Sequence, residues 1–127
     1  MAAVVVADDD PVVRQLVARM LRRCGHHVVT CDDGEQLLVA VRRHPPDVVV
    51  TDHQMPGLTG LAVVARLRQD PATAGIPVVV ASGSVGPDEA AALLGDADRL
   101  LVKPFTTAQL RETVEDALRR RPFSPAE

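Results

Sequence analysis

The chain has 127 residues, 46% of them hydrophobic, and a formal net charge of −3. That length predicts one domain, against a prior of roughly 150 residues per domain, and that apolar content supplies a core and excludes a disordered chain. Two Phe and no Trp or Tyr leave no stacking platform for single-stranded nucleic acid, and the mild acidity gives no footprint for nucleic acid or an anionic membrane.

Short β-branched runs alternate with helix-period segments along the whole length. The first apolar run starts at once, at Ala3-Val4-Val5-Val6. No basic segment precedes it and no run is long enough for a signal peptide or membrane span, so a cytoplasmic location is expected. The first strand is expected at Val4–Ala7, followed by Asp10-Pro11, an N-cap residue with proline at the first helical position. Val13, Leu16, Val17, Met20 and Leu21 then form the expected buried face of a first helix. Cys24 and Cys31 make no CxxC pair and read as ordinary buried thiols. A second strand, Val28–Cys31, leads through Asp33-Gly34 into a helix with Leu37, Leu38 and Val41 inward. The third, Val48–Thr51, precedes a helix marked by Leu61, Val64 and Leu67. A fourth, Val78–Ala81, is followed by a shorter helix on Leu93 and Leu94, behind Gly86-Pro87. After the last strand, Leu100–Val102, Thr106 and Gln109 form a capping box with Phe105 placed to staple against Leu110. Leu110, Val114, Ala117 and Leu118 complete that helix's buried stripe.

Several of these strands are continuously apolar, as a parallel sheet covered on both faces requires. Strict alternation with right-handed crossovers predicts an α/β fold, a doubly wound five-stranded parallel sheet with helices on both faces. Residues 1–121 are expected to form the domain and residues 122–127 a short tail.

In an open parallel sheet, ligands bind beyond the carboxyl ends of the strands. Asp8, Asp9 and Asp10 follow the first strand, Asp52 the third and Ser82 the fourth, while Lys103 ends the fifth. The second offers nothing comparable beyond Asp32 and Asp33. With a flavodoxin-like strand order, 2-1-3-4-5, the acids, the hydroxyl and the ammonium would line one cleft. Carboxylates so gathered repel one another, and a hard divalent cation such as Mg²⁺, with its oxygen ligands, relieves that repulsion. Such a site clamps phosphoryl oxygens and leaves an aspartate as nucleophile. Lys103 would add a compact positive charge and Ser82 a donor. Lys103 is also the chain's only lysine, every other cation being arginine.

These residues resemble the response-regulator receiver family of two-component signalling, from Val4 to about Arg120. The resemblance rests on Val4-Val5-Val6-Ala7-Asp8-Asp9-Asp10-Pro11, on Val48-Val49-Val50-Thr51-Asp52 with Met55-Pro56-Gly57 and Gly60, and on Leu101-Val102-Lys103-Pro104-Phe105. It implies that Asp52 is the phosphoacceptor, that Asp9 binds Mg²⁺ directly, and that Asp8 assists through water or an adjoining coordination position. Gln54 would offer its backbone carbonyl to the metal, with Ser82 and Lys103 as the matching hydroxyl and lysine. Lys103-Pro104 falls where the family often has a cis peptide, and Asp10 reads as a helix cap. The implied partners are a histidine kinase or phosphotransfer protein and a downstream target or output domain, with no direct nucleic-acid or membrane contact. The fourth helix, fifth strand and fifth helix would be the partner face, through which a homodimer would also form. The protein would not be an enzyme in the ordinary sense, catalysing only its own aspartyl phosphorylation and dephosphorylation.

One position departs from the family pattern. Leu100 stands where a Tyr or Phe usually takes part with the Ser82 hydroxyl in the activation switch, so an aliphatic rotamer change would have to replace the aromatic one. Gly83 should leave the phosphoryl pocket open. His53 reads as a partly exposed loop histidine, and His26, His27 and His44 lack zinc-ligand spacing. Arg119, Arg120 and Arg121 read as a solvated helix end. Two other functions compete. Asp8-Asp9-Asp10-Pro11-Val12 also fits the opening motif of haloacid-dehalogenase-type phosphatases, with Asp8 as nucleophile. A phosphorylation-independent interaction module would share the scaffold but typically lacks an acid or the lysine.

Overall fold

Valine runs with a period of two send alternate side chains to opposite faces, and in the three central strands both faces are dry. The structure, a computed structural model, describes residues 1–84, 86, 88, 94 and 98–119. Its elements are β1 (Ala3–Ala7), α1 (Pro11–Arg23), β2 (His27–Cys31), α2 (Gly34–Arg43), β3 (Val48–Asp52), α3 (Gly60–Gln69), β4 (Val78–Ser82), β5 (Arg99–Val102) and α4 (Thr107–Arg119). The five strands pair in the order β2-β1-β3-β4-β5, all parallel. The expected helix on Leu93 and Leu94, and the tail at residues 122–127, lie outside the described residues.

The alternation sorts the core into two halves. Val5, Ala7, Val49, Val78 and Val80 pack with Leu37, Leu38 and Val41 of α2 and Leu61, Val63, Val64 and Leu67 of α3. Val4, Val6, Val48, Val50, Val79 and Leu101 pack with Val17 and Leu21 of α1 and Leu110, Val114 and Ala117 of α4. Each such valine or leucine side chain, once buried, stabilises the fold by about 1.5–3 kcal/mol before entropy is counted. Every residue of β3 and β4 is buried, whereas the edge strand β2 is mostly exposed. On that open edge Arg22 donates from Nη2 to the Val28 carbonyl at 3.2 Å.

The capping expectations hold. Asp10 accepts from the Val12 and Val13 amides at 2.9 and 3.4 Å. Thr106 and Gln109 exchange both bonds of a capping box, at 2.8 and 3.1 Å, and Phe105 packs against the same cluster as Leu110. Two expectations need correction. Leu16 is 48% exposed, because the inward stripe of α1 runs through Val17, Ala18 and Leu21 and Leu16 lies a helical step to its side. Cys24 is only partly buried: it is the C-cap residue of α1, and Cys31 alone lies in the core.

Candidate functional site

The register of β1 on β3 pairs Ala7 with Thr51, so the next residues, Asp8 and Asp52, leave the sheet side by side. Asp52 is the last residue of β3 and only 8% exposed; Asp8, just past β1, is 5% exposed. Oxygens of Asp8, Asp9 and Asp52 all lie within 4.8 Å of one another. From the other side, Ser82 ends β4 opposite Val102 of β5, and the Lys103 amide donates to the Ser82 carbonyl at 3.1 Å. The peptide bond from Lys103 to Pro104 is cis. Lys103 Nζ reaches across to Asp52 Oδ1 at 2.7 Å. The strand ends thus gather the three acids, the lysine and the serine at one rim.

The turn after β1 is tightly built. The Asp10 amide donates to Asp8 Oδ1 at 2.9 Å while the Asp10 carboxylate caps α1, so Asp10 is committed to the helix. Asp9 is exposed. Burial pushes the Asp8 carboxyl above its ordinary range, and the charges of Asp52 and Asp9 push the same way. The Asp10 amide and Lys103 oppose them.

The loop after β3 explains its motif. The His53 amide donates to the Ala81 carbonyl, and the Gly60 amide returns to the His53 carbonyl, both at 2.9 Å. A Cβ on Gly60 would stand 2.8 Å from the Asp52 carbonyl oxygen and 2.9 Å from His53 Cα. Only glycine lets α3 begin that close to Asp52. Gly57 turns the loop at a φ of 80°, and Met55 is buried beneath it, with its sulfur 3.8 Å from Thr51 Oγ1. His53 is partly exposed, with Nδ1 accepting from the Leu61 amide at 3.4 Å. The Met-Pro-Gly segment is therefore scaffolding behind Asp52.

Four contacts at this rim have no counterpart in the sequence-based reading. Gln54 extends its side-chain amide to Ser84 Oγ at 3.1 Å, and the Ser84 amide donates to Ser82 Oγ at 3.0 Å, so the buried Ser82 is linked outward to the surface. Serines two apart around Gly83 are a turn signature that could have signalled this. Arg14 donates from Nη1 to the Asp8 carbonyl at 2.8 Å and pairs with Asp32 Oδ1 at 3.2 Å. Its place four residues before the fully buried Ala18, on the inward side of α1, was the available clue. Leu100 is partly buried against the core on the α2 and α3 side. Among the described residues, a Cβ placed on Gly83 would meet Lys103 Cβ at 3.9 Å, an ordinary contact.

Three carboxylates opposed by one ammonium leave the rim with excess negative charge and oxygen donors only. A hard divalent cation fits that donor set. Asp8, Asp9 and Asp52 are the residues that would hold it.

Comparison with known proteins agrees with this geometry. The sequence model of the response regulator receiver domain matches residues 4–115. The DNA-binding response regulator MtrA of Mycolicibacterium smegmatis is 35% identical over 125 residues, covering 98% of this chain and 54% of that protein. The transcriptional regulatory protein PrrA of Mycobacterium tuberculosis is 41% identical over 118 residues, covering 93% of this chain and 50% of its own length. The chain thus spans about half the length of these curated relatives. Among solved structures, the chemotaxis response regulator CheY4 of Vibrio cholerae superposes with a TM-score of 0.83 at 30% identity, covering 92% of this chain and 98% of that one.

Proposed function

The chain belongs to the response regulator receiver domain family, and from that premise we propose that Asp52 accepts a phosphoryl group in a Mg²⁺-dependent step. The observation that carries this reading is the convergence at Asp52: Lys103 Nζ at 2.7 Å on Oδ1, with oxygens of Asp8 and Asp9 inside the same 4.8 Å cluster. A carboxylate oxygen of Asp52 attacks phosphorus, the bond from phosphorus to a histidine nitrogen of the donor breaks, and an acyl phosphate forms while the imidazole leaves with the electron pair. Lys103 holds the acceptor carboxylate and then faces the new phosphoryl oxygens, and Ser82 offers its hydroxyl to them. Asp8, Asp9, Asp52 and the Gln54 carbonyl would hold the ion. When bound, Mg²⁺ would supply charge neutralisation at the phosphoryl oxygens. Ser82 and Leu100 would carry the resulting change away from the site.

The donor is then a histidine kinase or phosphotransfer protein, and the recipient of the signal an output domain or separate target. Among the described residues no helix is long and apolar enough to cross a membrane, which fits reaction in the cytoplasm. The phosphatase alternative finds no support at Asp8. One of that residue's oxygens accepts from the Asp10 amide, and the lysine pairs with Asp52 instead.

Intact-mass measurement after treatment with acetyl phosphate and Mg²⁺ tests the proposal. One added phosphoryl group is expected, lost when Mg²⁺ is chelated and absent in Asp52→Asn. A variant that still gains the group would move the acceptor to another acid.

A further inference from the structure

Among the groups that touch the acidic rim without belonging to it, Arg14 has the most specific geometry. Its side chain is only 14% exposed, although it is an arginine in the second turn of a surface helix. From there Nη1 donates to the Asp8 carbonyl oxygen at 2.8 Å and lies 3.2 Å from Asp32 Oδ1. β1 ends at Ala7, so the Asp8 carbonyl has left the sheet ladder, and no backbone amide among the described residues donates to it. Arg14 supplies the missing partner.

The carbonyl it holds belongs to the peptide unit that joins Asp8 to Asp9. A peptide unit is planar, so fixing its oxygen fixes the plane from which both Cα atoms, and hence both carboxylates, project. Asp8 has further anchors: its amide donates to Cys31 at 3.2 Å and its Oδ1 accepts from Asp10. The exposed Asp9 carboxylate has no hydrogen bond among the described residues, so its direction depends on the peptide that Arg14 holds. Asp32, 66% exposed in its side chain at the end of β2, engages the same guanidinium from outside.

We propose that Arg14 is a positioning residue for the divalent-cation site, holding the Asp8–Asp9 peptide so that both acids face Asp52, with Asp32 setting the angle of the guanidinium. This rests on the metal-site reading above. Positioning and charge make opposite demands. A cation beside the rim repels Mg²⁺, so if its charge were what mattered, removing it would tighten metal binding. If Arg14 acts by holding the peptide, removing it weakens binding despite the lost repulsion.

Calorimetric titration of the full chain with Mg²⁺, and with Mn²⁺ as a second probe, separates the two. Each variant is also melted without metal by far-UV circular dichroism. Arg14→Ala should weaken Mg²⁺ binding by roughly 10-fold, the low end for residues that orient a metal ligand. Arg14→Lys, which keeps the charge and one donor, should recover most of that loss, and Asp32→Asn should weaken binding by roughly 2–3-fold. Unchanged or tighter binding in Arg14→Ala overturns the proposal. So does a lowered melting temperature in any of the three variants with the metal affinity intact. If Arg14→Ala does not fold, the decision passes to Asp32→Asn, whose guanidinium partner lies at 3.2 Å: wild-type affinity there overturns the proposal equally. Asp9→Asn is run alongside. If it too binds Mg²⁺ like wild type, the metal-site reading has failed, a result distinct from failure of Arg14 alone.

Discussion

Two buried aspartates sit at opposite ends of the sheet and are treated in opposite ways. Asp98, just before β5, has a side chain only 1% exposed; Arg68 from the last turn of α3 engages both its oxygens, and the Val78 amide adds a bond to Oδ1 at 2.7 Å. Asp52, at the carboxyl end of β3, receives one hydrogen bond from Lys103 and lies against two further acids. A carboxylate saturated by a guanidinium and an amide has no capacity left for a ligand and serves as a bolt between α3 and β4. One held by a single ammonium among like charges keeps an oxygen for chemistry. Burial alone therefore does not distinguish a saturated acid from one open to a ligand. The number and kind of partners do.

The comparison can be broken most directly at the bolt. Asp98→Ala should cost about 3 kcal/mol in urea unfolding followed by circular dichroism, near the lower end for breaking a buried pair because Arg68 keeps 28% exposure. It should leave Mg²⁺ affinity unchanged, and a change there would join the two ends of the sheet functionally. Asp52→Asn should behave differently. Loss of the Lys103 ion pair is offset by relief of repulsion with Asp8 and Asp9, so metal-free stability should move by less than about 1 kcal/mol. A loss as large as that of Asp98→Ala would make Asp52 a structural acid as well. The smallest effect is a pH slope. Because the Asp8 carboxyl is raised in the fold, the folded state holds its proton more tightly than the unfolded chain. Its contribution is therefore fully present below the ordinary carboxylate range and is lost as pH rises through the raised value. Asp8→Asn should flatten that stretch of the metal-free stability profile. In the wild type, Mg²⁺ affinity should fall as pH drops through the same window, because proton and metal compete for the carboxylate. An unchanged profile in Asp8→Asn would place the buried charge elsewhere.

Strand positions were legible in the sequence because β-branched runs bounded by acids and glycines have few alternative readings. The structure extends each expected strand by one residue, at His27, Asp52, Ser82 and Arg99 among others. Hydropathy stops at a polar side chain, but the backbone ladder does not. Asp52 and Ser82 are thus ladder residues, held more rigidly than the loop residues they resembled in the sequence. The acids, the serine and the lysine could be gathered on paper because strand order carries each strand end to a fixed place. Arg14, Ser84 and the bolt of Arg68 and Asp98 escaped notice for a common reason. Each contact joins a side chain to a carbonyl, amide or acid whose exact placement depends on where a helix or turn is docked, and period-based reading carries no such distances.

The arginine on the open border of the sheet has a consequence for the molecule in crowded solution. His27 and Cys31 direct their backbone bonds toward β1, so the alternating groups of Val28 point outward, where another chain's strand would attach. Arg22 already occupies that carbonyl and sets a positive charge over the border. Such an arrangement discourages edge-to-edge stacking of copies and favours the dispersed state at high concentration.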